Sequence, residues 1–355
     1  MKKNVYLCIN LNLLVMKKEV LFIVCGMCLM LVGCEKQQMP DFPVTEKLGI
    51  MNDMLSRMED RLSSKFTFSD IELTKDLLYD CYTPEDVYPY GDTVRSFKWE
   101  TMRKCLAFIE NMQRDTVRWA VLCNYKNRNQ EAPLVRNYVR NEYGRVSDTL
   151  GVERYQSIPL YLPSDLEMPE RYGRDGSLVC LKGAKEDFLR VVPAAIESEW
   201  MIPRRYVKPL LEGTAFHHVI FVDRRDQNIA TLERTGKGKW VIRSMNPATT
   251  GMHRPPYAQE TPLGMFLLQE KKERMVFLKD GGSGVGGYAP YASRFTNGAY
   301  IHGVPVNVPR TAMIEYSWSL GTTPRSHMCV RNATSHAKFV FDRMPTGATL
   351  VVVIE

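Results

Sequence analysis

Residues 348–354 read Ala-Thr-Leu-Val-Val-Val-Ile, an apolar and largely β-branched run too short for a helix and without the polar alternation of a half-exposed strand. It reads as a buried strand and places its surroundings in a β-rich module. Shortly before it stands Ser326-His327-Met328-Cys329-Val330-Arg331-Asn332, itself preceded by Tyr300-Ile301-His302-Gly303. One thiol is thus given two imidazoles close in sequence. A thiol attacks only as thiolate, its free pKa is about 8.5, and a neighbouring imidazole brings the reactive form within working range. Read from the residues alone, Cys329 is either a nucleophile or a buried packing thiol.

The stretch Ser-His-Met-Cys-Val-Arg resembles the Ser-His-Gly-Cys-Ile/Val-Arg signature of the L,D-transpeptidase catalytic domain (YkuD-like), and Tyr300-Ile301-His302-Gly303 resembles that family's separate His-Gly element. Two further segments follow the same order. Ile220-Phe221-Val222-Asp223 with Gln227 is similar to the opening strand pair, and Thr261-Pro262-Leu263-Gly264-Met265-Phe266 to the Thr-Pro-x-Gly-x-Phe element. The resemblance covers about residues 217 to 355. It implies a mostly-β catalytic domain, a β-sandwich or barrel with few helices. It also implies that Cys329 is the nucleophile, His302 the general base, the Gly303 carbonyl the orienter of His302, and the amides of Met328 and Cys329 an oxyanion hole. His327 stands behind these. Ser326 and Arg331 fall on the substrate side, Arg331 either as a carboxylate anchor for a peptide stem or as a salt-bridged strut. No cofactor and no metal are implied. The chemistry implied is attack on a peptidoglycan tetrapeptide stem, loss of D-Ala, and transfer of the acyl group to an amine of another stem, a 3-3 cross-link. Water as acceptor would give an L,D-carboxypeptidase, and an N-terminal domain that dominates would give a mainly wall-binding lipoprotein.

Two departures from the pattern stand out. Met328 occupies the usual Gly position, either as a strained backbone or as a bulky wall against substrate. His302 and Cys329 lie 27 positions apart, longer than the family interval. The extra residues read as a loop running from Asn307-Val308-Pro309-Arg310 to Gly321-Thr322-Thr323-Pro324.

Lys17 and Lys18 precede the apolar run Val20 to Val32, which is short for a membrane span and suits a signal-peptide core. Leu31-Val32-Gly33-Cys34 resembles a bacterial lipobox. Residues 1–33 then form a lipoprotein signal, with Met16 an alternative start. Cys34 becomes a lipidated N-terminus facing the periplasm, and 34–44 form a polar tether. The formal charge of +7 includes four Lys and one Glu in residues 1–33. The +4 that remains is too mild for a nucleic-acid binder. Of nine Cys, three lie in the leader. With Cys34 and Cys329 assigned, Cys81, Cys105, Cys123 and Cys180 are left, and their disulfide state is open.

Residues 45–212 read as a mixed α+β domain ahead of the catalytic domain at 213–355. Leu48, Met51, Leu55, Met58 and Leu62 recur at helical spacing, as do Trp99, Met102, Leu106 and Ile109 within 96–113. Further helices are expected at 69–80 and at 184–199. Strands are expected around 119–122, 157–161 and 177–180, within a small barrel module spanning 117–182. Gly282 to Gly287 matches G-x-G-x-x-G as a string, but Tyr288-Ala289-Pro290-Tyr291 opens no helix, so the dinucleotide reading fails. A flexible lid over the cysteine fits better, with Tyr288 and Tyr291 as substrate contacts or as a packed hinge. His217, His218 and His253 lack the partners of a metal site.

Overall fold

The computed structural model describes residues 65–114, 118–196 and 198–355. The amphipathic segment 48–62, the tether and the lipobox lie outside the described residues. Along the chain run β1 (Glu72–Tyr79), α1 (Trp99–Arg114), β2 (Arg118–Leu122), β3 (Leu178–Lys185), β4 (Phe188–Pro193), β5 (Trp200–Pro203) and β6 (Val207–Pro209). There follow β7 (His218–Asp223), β8 (Asn228–Gly236), β9 (Lys239–Pro247), β10 (Gly264–Leu267), β11 (Glu270–Leu278), β12 (Val285–Thr296), β13 (Ala299–His302), β14 (Val330–Arg331), α2 (Thr334–Arg343) and β15 (Thr349–Ile354). Short hairpins, among them Ser157–Leu160 with Arg171–Arg174, complete the list.

The buried C-terminal strand organises the molecule. β15 lies inside a six-stranded sheet of order β1-β9-β8-β7-β15-β10, parallel to β7 and antiparallel to β10. Its side chains alternate between two cores, which is why the sequence shows no polar alternation. Val351 and Val353 face a cluster with Ile220, Phe295, Ile301, Val330 and Val340, beneath the second sheet and α2. Leu350 and Val352 face the opposite cluster with Phe221, Leu232 and the α1 residues Met102, Leu106 and Ile109. Buried Glu110 fastens α1 in place, since its carboxylate takes both Arg234 Nε (2.7 Å) and Nη2 (2.8 Å) and the Trp240 indole N–H (3.0 Å). The second sheet has the order β11-β12-β13-β14, with β13 and β14 parallel, and a third, antiparallel sheet runs β5-β4-β3-β2-β6.

Helix α1 and the strands at 118–122, 157–160 and 178–185 fall where the sequence puts them. Three expectations in the N-terminal half are corrected. The segment 69–80 holds strand β1, because Leu73 and Leu77, four apart, lie on one face of a strand as well as of a helix, and here both pack on the α1-side core. The segment 184–199 holds β4 instead of a helix. A turn at Glu186, φ +52, returns the chain as a hairpin, and Pro193 has no place in a helix interior. The 117–182 region contributes two strands to an open sheet whose order has two ends, so no barrel closes. Residues 65–355 form one compact unit, in which β1 pairs directly with β9 of the C-terminal half. Cys81, Cys105, Cys123, Cys180 and Cys329 are all free thiols, and no helix among the described residues is long and apolar enough to cross a membrane.

Candidate active site

Parallel pairing of β13 with β14 sets Ile301 opposite Val330 and His302 opposite Arg331. This brings the two distant motifs to one strand end, and His302, Ser326, His327, Cys329 and Arg331 all line a single cleft of about 630 Å³. His302 is 3% exposed. Its Nδ1 donates to the Gly303 carbonyl at 2.6 Å, which leaves Nε2 as the nitrogen with a free lone pair. That carbonyl is held because the Gly303 amide donates to Pro290 O (2.9 Å), while a Cβ there would come within 2.7 Å of Thr334 Oγ1 and 2.9 Å of Pro290 Cγ. Burial depresses the His302 pKa to about 4, and burial raises that of the Cys329 thiol. The pair therefore rests as neutral thiol and neutral imidazole, the form in which a base removes the thiol proton during attack.

The loop bearing Cys329 is clamped on its outer side. The Thr261 hydroxyl accepts from Gly251 N and donates to Met328 O, both at 2.8 Å. Gln259 N donates to His327 O at 2.7 Å, and Ser326 exchanges backbone bonds with Thr250 and Met252. Gly251 is required by close approach, for a Cβ there would meet Met328 Cα at 2.8 Å. The buried Ser326 hydroxyl donates to the Cys329 carbonyl, so it shapes the loop more than it addresses substrate. Among the described residues no backbone carbonyl accepts from the amides of Met328 or Cys329. The motif residue Thr261 acts as a donor and acceptor at once; the Gly251 partner has no signal in sequence beyond being a glycine.

Arg331 lines the cleft with its Nε buried and without a hydrogen-bond partner, and burial depresses its pKa. It forms no ion pair among the described residues, which removes the strut reading and leaves its buried Nε without a partner at the cleft. His327 is half exposed and its Nε2 bonds Asp280 Oδ1 at 2.7 Å. Asp280 belongs to the turn of the β11–β12 hairpin, closed by Lys279 N to Gly284 O (2.9 Å), so the glycine-rich segment borders the cysteine cleft. Tyr288 and Tyr291 do not line this cleft. The Tyr288 hydroxyl bonds Thr311 O (3.0 Å) beneath Arg274, and Tyr291 packs beside Phe341 and Lys338 of α2. The long interval before Cys329 folds into one wall of the cleft, supplying Pro305, Asn307, Ile314, Ser317 and Ser319 over a small core of Val304 and Leu320. Among the described residues no group of three or more His, Cys, Asp or Glu is arranged to hold a metal.

Met328 is neither strained nor a wall. Its φ is not in the left-handed region, it does not line the cleft, and its side chain packs on the core between the two catalytic sheets. Met328→Gly should lower stability by about 2 kcal/mol through lost packing and added chain entropy, read as a lower Tm, with no gain in the acylation rate of Cys329. A faster variant of unchanged Tm would contradict this placement.

Residues 217–353 match the family model YkuD, the L,D-transpeptidase catalytic domain. No curated protein matches the chain. Among solved structures, a fused Zn-dependent amidase/peptidase/peptidoglycan-binding domain-containing protein from Clostridium acetobutylicum is 20% identical over 40% of this chain and 53% of its own, with a TM-score of 0.30. The chain thus spans about half the length of that protein. An L,D-transpeptidase from Mycobacterium tuberculosis H37Rv is 18% identical over 63% of this chain and 94% of its own, TM-score 0.33, and one from Mycobacterium smegmatis 15% identical over 49% and 93%, TM-score 0.31. With the four sequence elements in order and the family match spanning the strands that carry them, residues 217–353 of this chain are a YkuD-type L,D-transpeptidase catalytic domain.

Proposed function

We propose that the protein is a cysteine-dependent peptidoglycan L,D-transpeptidase. The observation that carries this reading is one cleft lined by a thiol, a buried imidazole with Nδ1 committed to a carbonyl, and a guanidinium whose buried Nε has no hydrogen-bond partner. Cys329 Sγ attacks the carbonyl of the L-centre of the diamino acid in a tetrapeptide stem while His302 Nε2 takes the thiol proton. The amides of Met328 and Cys329 hold the oxyanion. Collapse breaks the peptide bond, His302 returns the proton to the nitrogen of the departing D-Ala, and a thioester remains. The side-chain amine of a diamino acid on a second stem then attacks the thioester, gives its proton to His302, and releases the thiol with a 3-3 cross-link formed. Arg331 holds a carboxylate of the stem.

The test is intact mass of the purified protein mixed with disaccharide-tetrapeptide, followed by product analysis. Expected are a thioester adduct on Cys329, free D-Ala and cross-linked dimers. Tripeptide without dimer would assign water as the acceptor, and no adduct and no product would leave a wall-binding protein. For localisation we propose a lipid anchor at Cys34 in the envelope, supported by Leu31-Val32-Gly33-Cys34 behind a basic and apolar leader. Membrane-extracted protein should carry acyl mass at Cys34 and lose it in Cys34→Ala; wholly soluble wild type without acyl mass would refute the anchor.

A further inference from the structure

The turn between β12 and β13 is the two-residue loop Asn297-Gly298, set between the paired residues Thr296 and Ala299. Asn297 is 6% exposed, has φ +37, and its side-chain oxygen is buried without a hydrogen-bond partner. The next residue touches the nucleophile, since the Cys329 thiol donates to the Gly298 carbonyl at 3.6 Å. Two residues on, the Tyr300 amide favours the thiolate form of the same sulphur. Asparagine adopts the left-handed region readily, but its buried oxygen without a partner carries a cost that packing around the turn must offset. Here the surroundings come from outside residues 217–353.

Asp175, 1% exposed, takes Arg294 Nη1 at 2.6 Å, the Asn124 amide at 2.8 Å and Gln269 Nε2 at 3.1 Å. Its backbone carbonyl accepts from Thr296 Oγ1 at 2.5 Å. Gly176, φ +84, lies so close to the turn that a Cβ would come within 2.0 Å of the Phe295 carbonyl. These contacts meet the strand that leads into the turn, at Arg294, Phe295 and Thr296. We propose that Asp175 is a positioning residue: the Asp175-Gly176 corner of the N-terminal sheet clamps the turn at 295–298, and through it sets the Gly298 carbonyl and the Tyr300 amide against the Cys329 sulphur. The proposal rests on Cys329 being the nucleophile of the proposed function. It makes the N-terminal sheet part of the reactive centre.

The test uses the full chain and reads iodoacetamide labelling of Cys329 against pH by peptide mass spectrometry, with the acylation rate by tetrapeptide as a second measure. In Asp175→Asn and Gly176→Ala the turn relaxes and both the Gly298 carbonyl and the Tyr300 amide lose their places against the sulphur, so the labelling midpoint should move away from the wild-type value. The acylation rate should fall roughly 10- to 100-fold with KM little changed, the scale of an ångström-sized misplacement. Leu160→Ala, in the core on the other face of the N-terminal sheet, should lower Tm while keeping the wild-type midpoint. Folded Asp175→Asn and Gly176→Ala with a wild-type midpoint and rate would overturn the proposal. Should either variant not fold, Thr296→Val, which removes only the bond to the Asp175 carbonyl, makes the same comparison. Labelling needs no stem peptide, so absence of transfer would count against the proposed reaction and leave this test standing.

Discussion

Cys329→Ala is expected to form no acyl-enzyme with a tetrapeptide stem and to release no D-Ala, while keeping the wild-type fold. Among the described residues the chain has four other thiols, and none of them can take over. Cys105, Cys123 and Cys180 have their pKa values pushed up to about 11, in each case by burial first, so at neutral pH almost none is thiolate. Cys81 is exposed but does not line the cleft. The Cys329 thiol is also raised by burial; what separates it is an imidazole in the same cleft with its acceptor nitrogen free. Cys329→Ser should be equally silent, since the hydroxyl is a far weaker acid and the same base would have to work against a larger proton-transfer barrier. The measurement is intact mass and D-Ala release for wild type and both variants. An adduct in Cys329→Ala, mapped to another cysteine, would reject the assignment.

The parts of this site that sequence reveals are those written in local order. Residues 348–354 announce a doubly buried strand because each of their side chains has an apolar destination, and the His-Gly and Ser-His-x-Cys elements lie on adjoining strands joined by a simple crossover. Ambiguity begins where two structures share a spacing. Leu73 and Leu77 fit a helix or a strand, and pairing with β9, far along the chain, decides. Least legible are the buried polar links, whose partners stand far apart: Asp175 with Arg294, 119 positions away, or Thr261 with Met328, 67 away. Such pairs leave no periodic trace, and neither does the fit of Gly251 and Gly176 against backbone. Met328 illustrates the converse. Its departure from the family pattern is plain in the sequence, but only the folded chain shows that its side chain turns from the cleft into the core.

His302→Ala should lower the acylation rate by roughly 10²- to 10⁴-fold, the loss typical of a general base, and should do so far more than His327→Ala. The two imidazoles are differently placed. His302 is buried with Nδ1 held by Gly303, whereas His327 is half exposed and bonded to Asp280, a pair worth at most about 1 kcal/mol, or about fivefold in rate. A larger loss at His327, with both variants folded, would reverse the roles. The pH dependence separates the same alternatives. Acylation requires neutral His302, whose pKa burial has depressed from 6.5 to about 4, so the acid limb should have its midpoint near pH 4 and not near 6.5. Stability follows the same sign. His302 and the fully buried His336, depressed to about 3, bind protons in the unfolded chain before they do in the folded one, so the stability they contribute is complete above about pH 6.5 and is lost as pH falls toward 4 and then 3. For His302 the loss amounts to roughly 3 kcal/mol at 1.36 kcal/mol per unit. Rates must therefore be taken by brief exposure of protein that circular dichroism shows to be folded at each pH. An acid limb centred near 6.5 in folded protein would reject His302 as the proton acceptor.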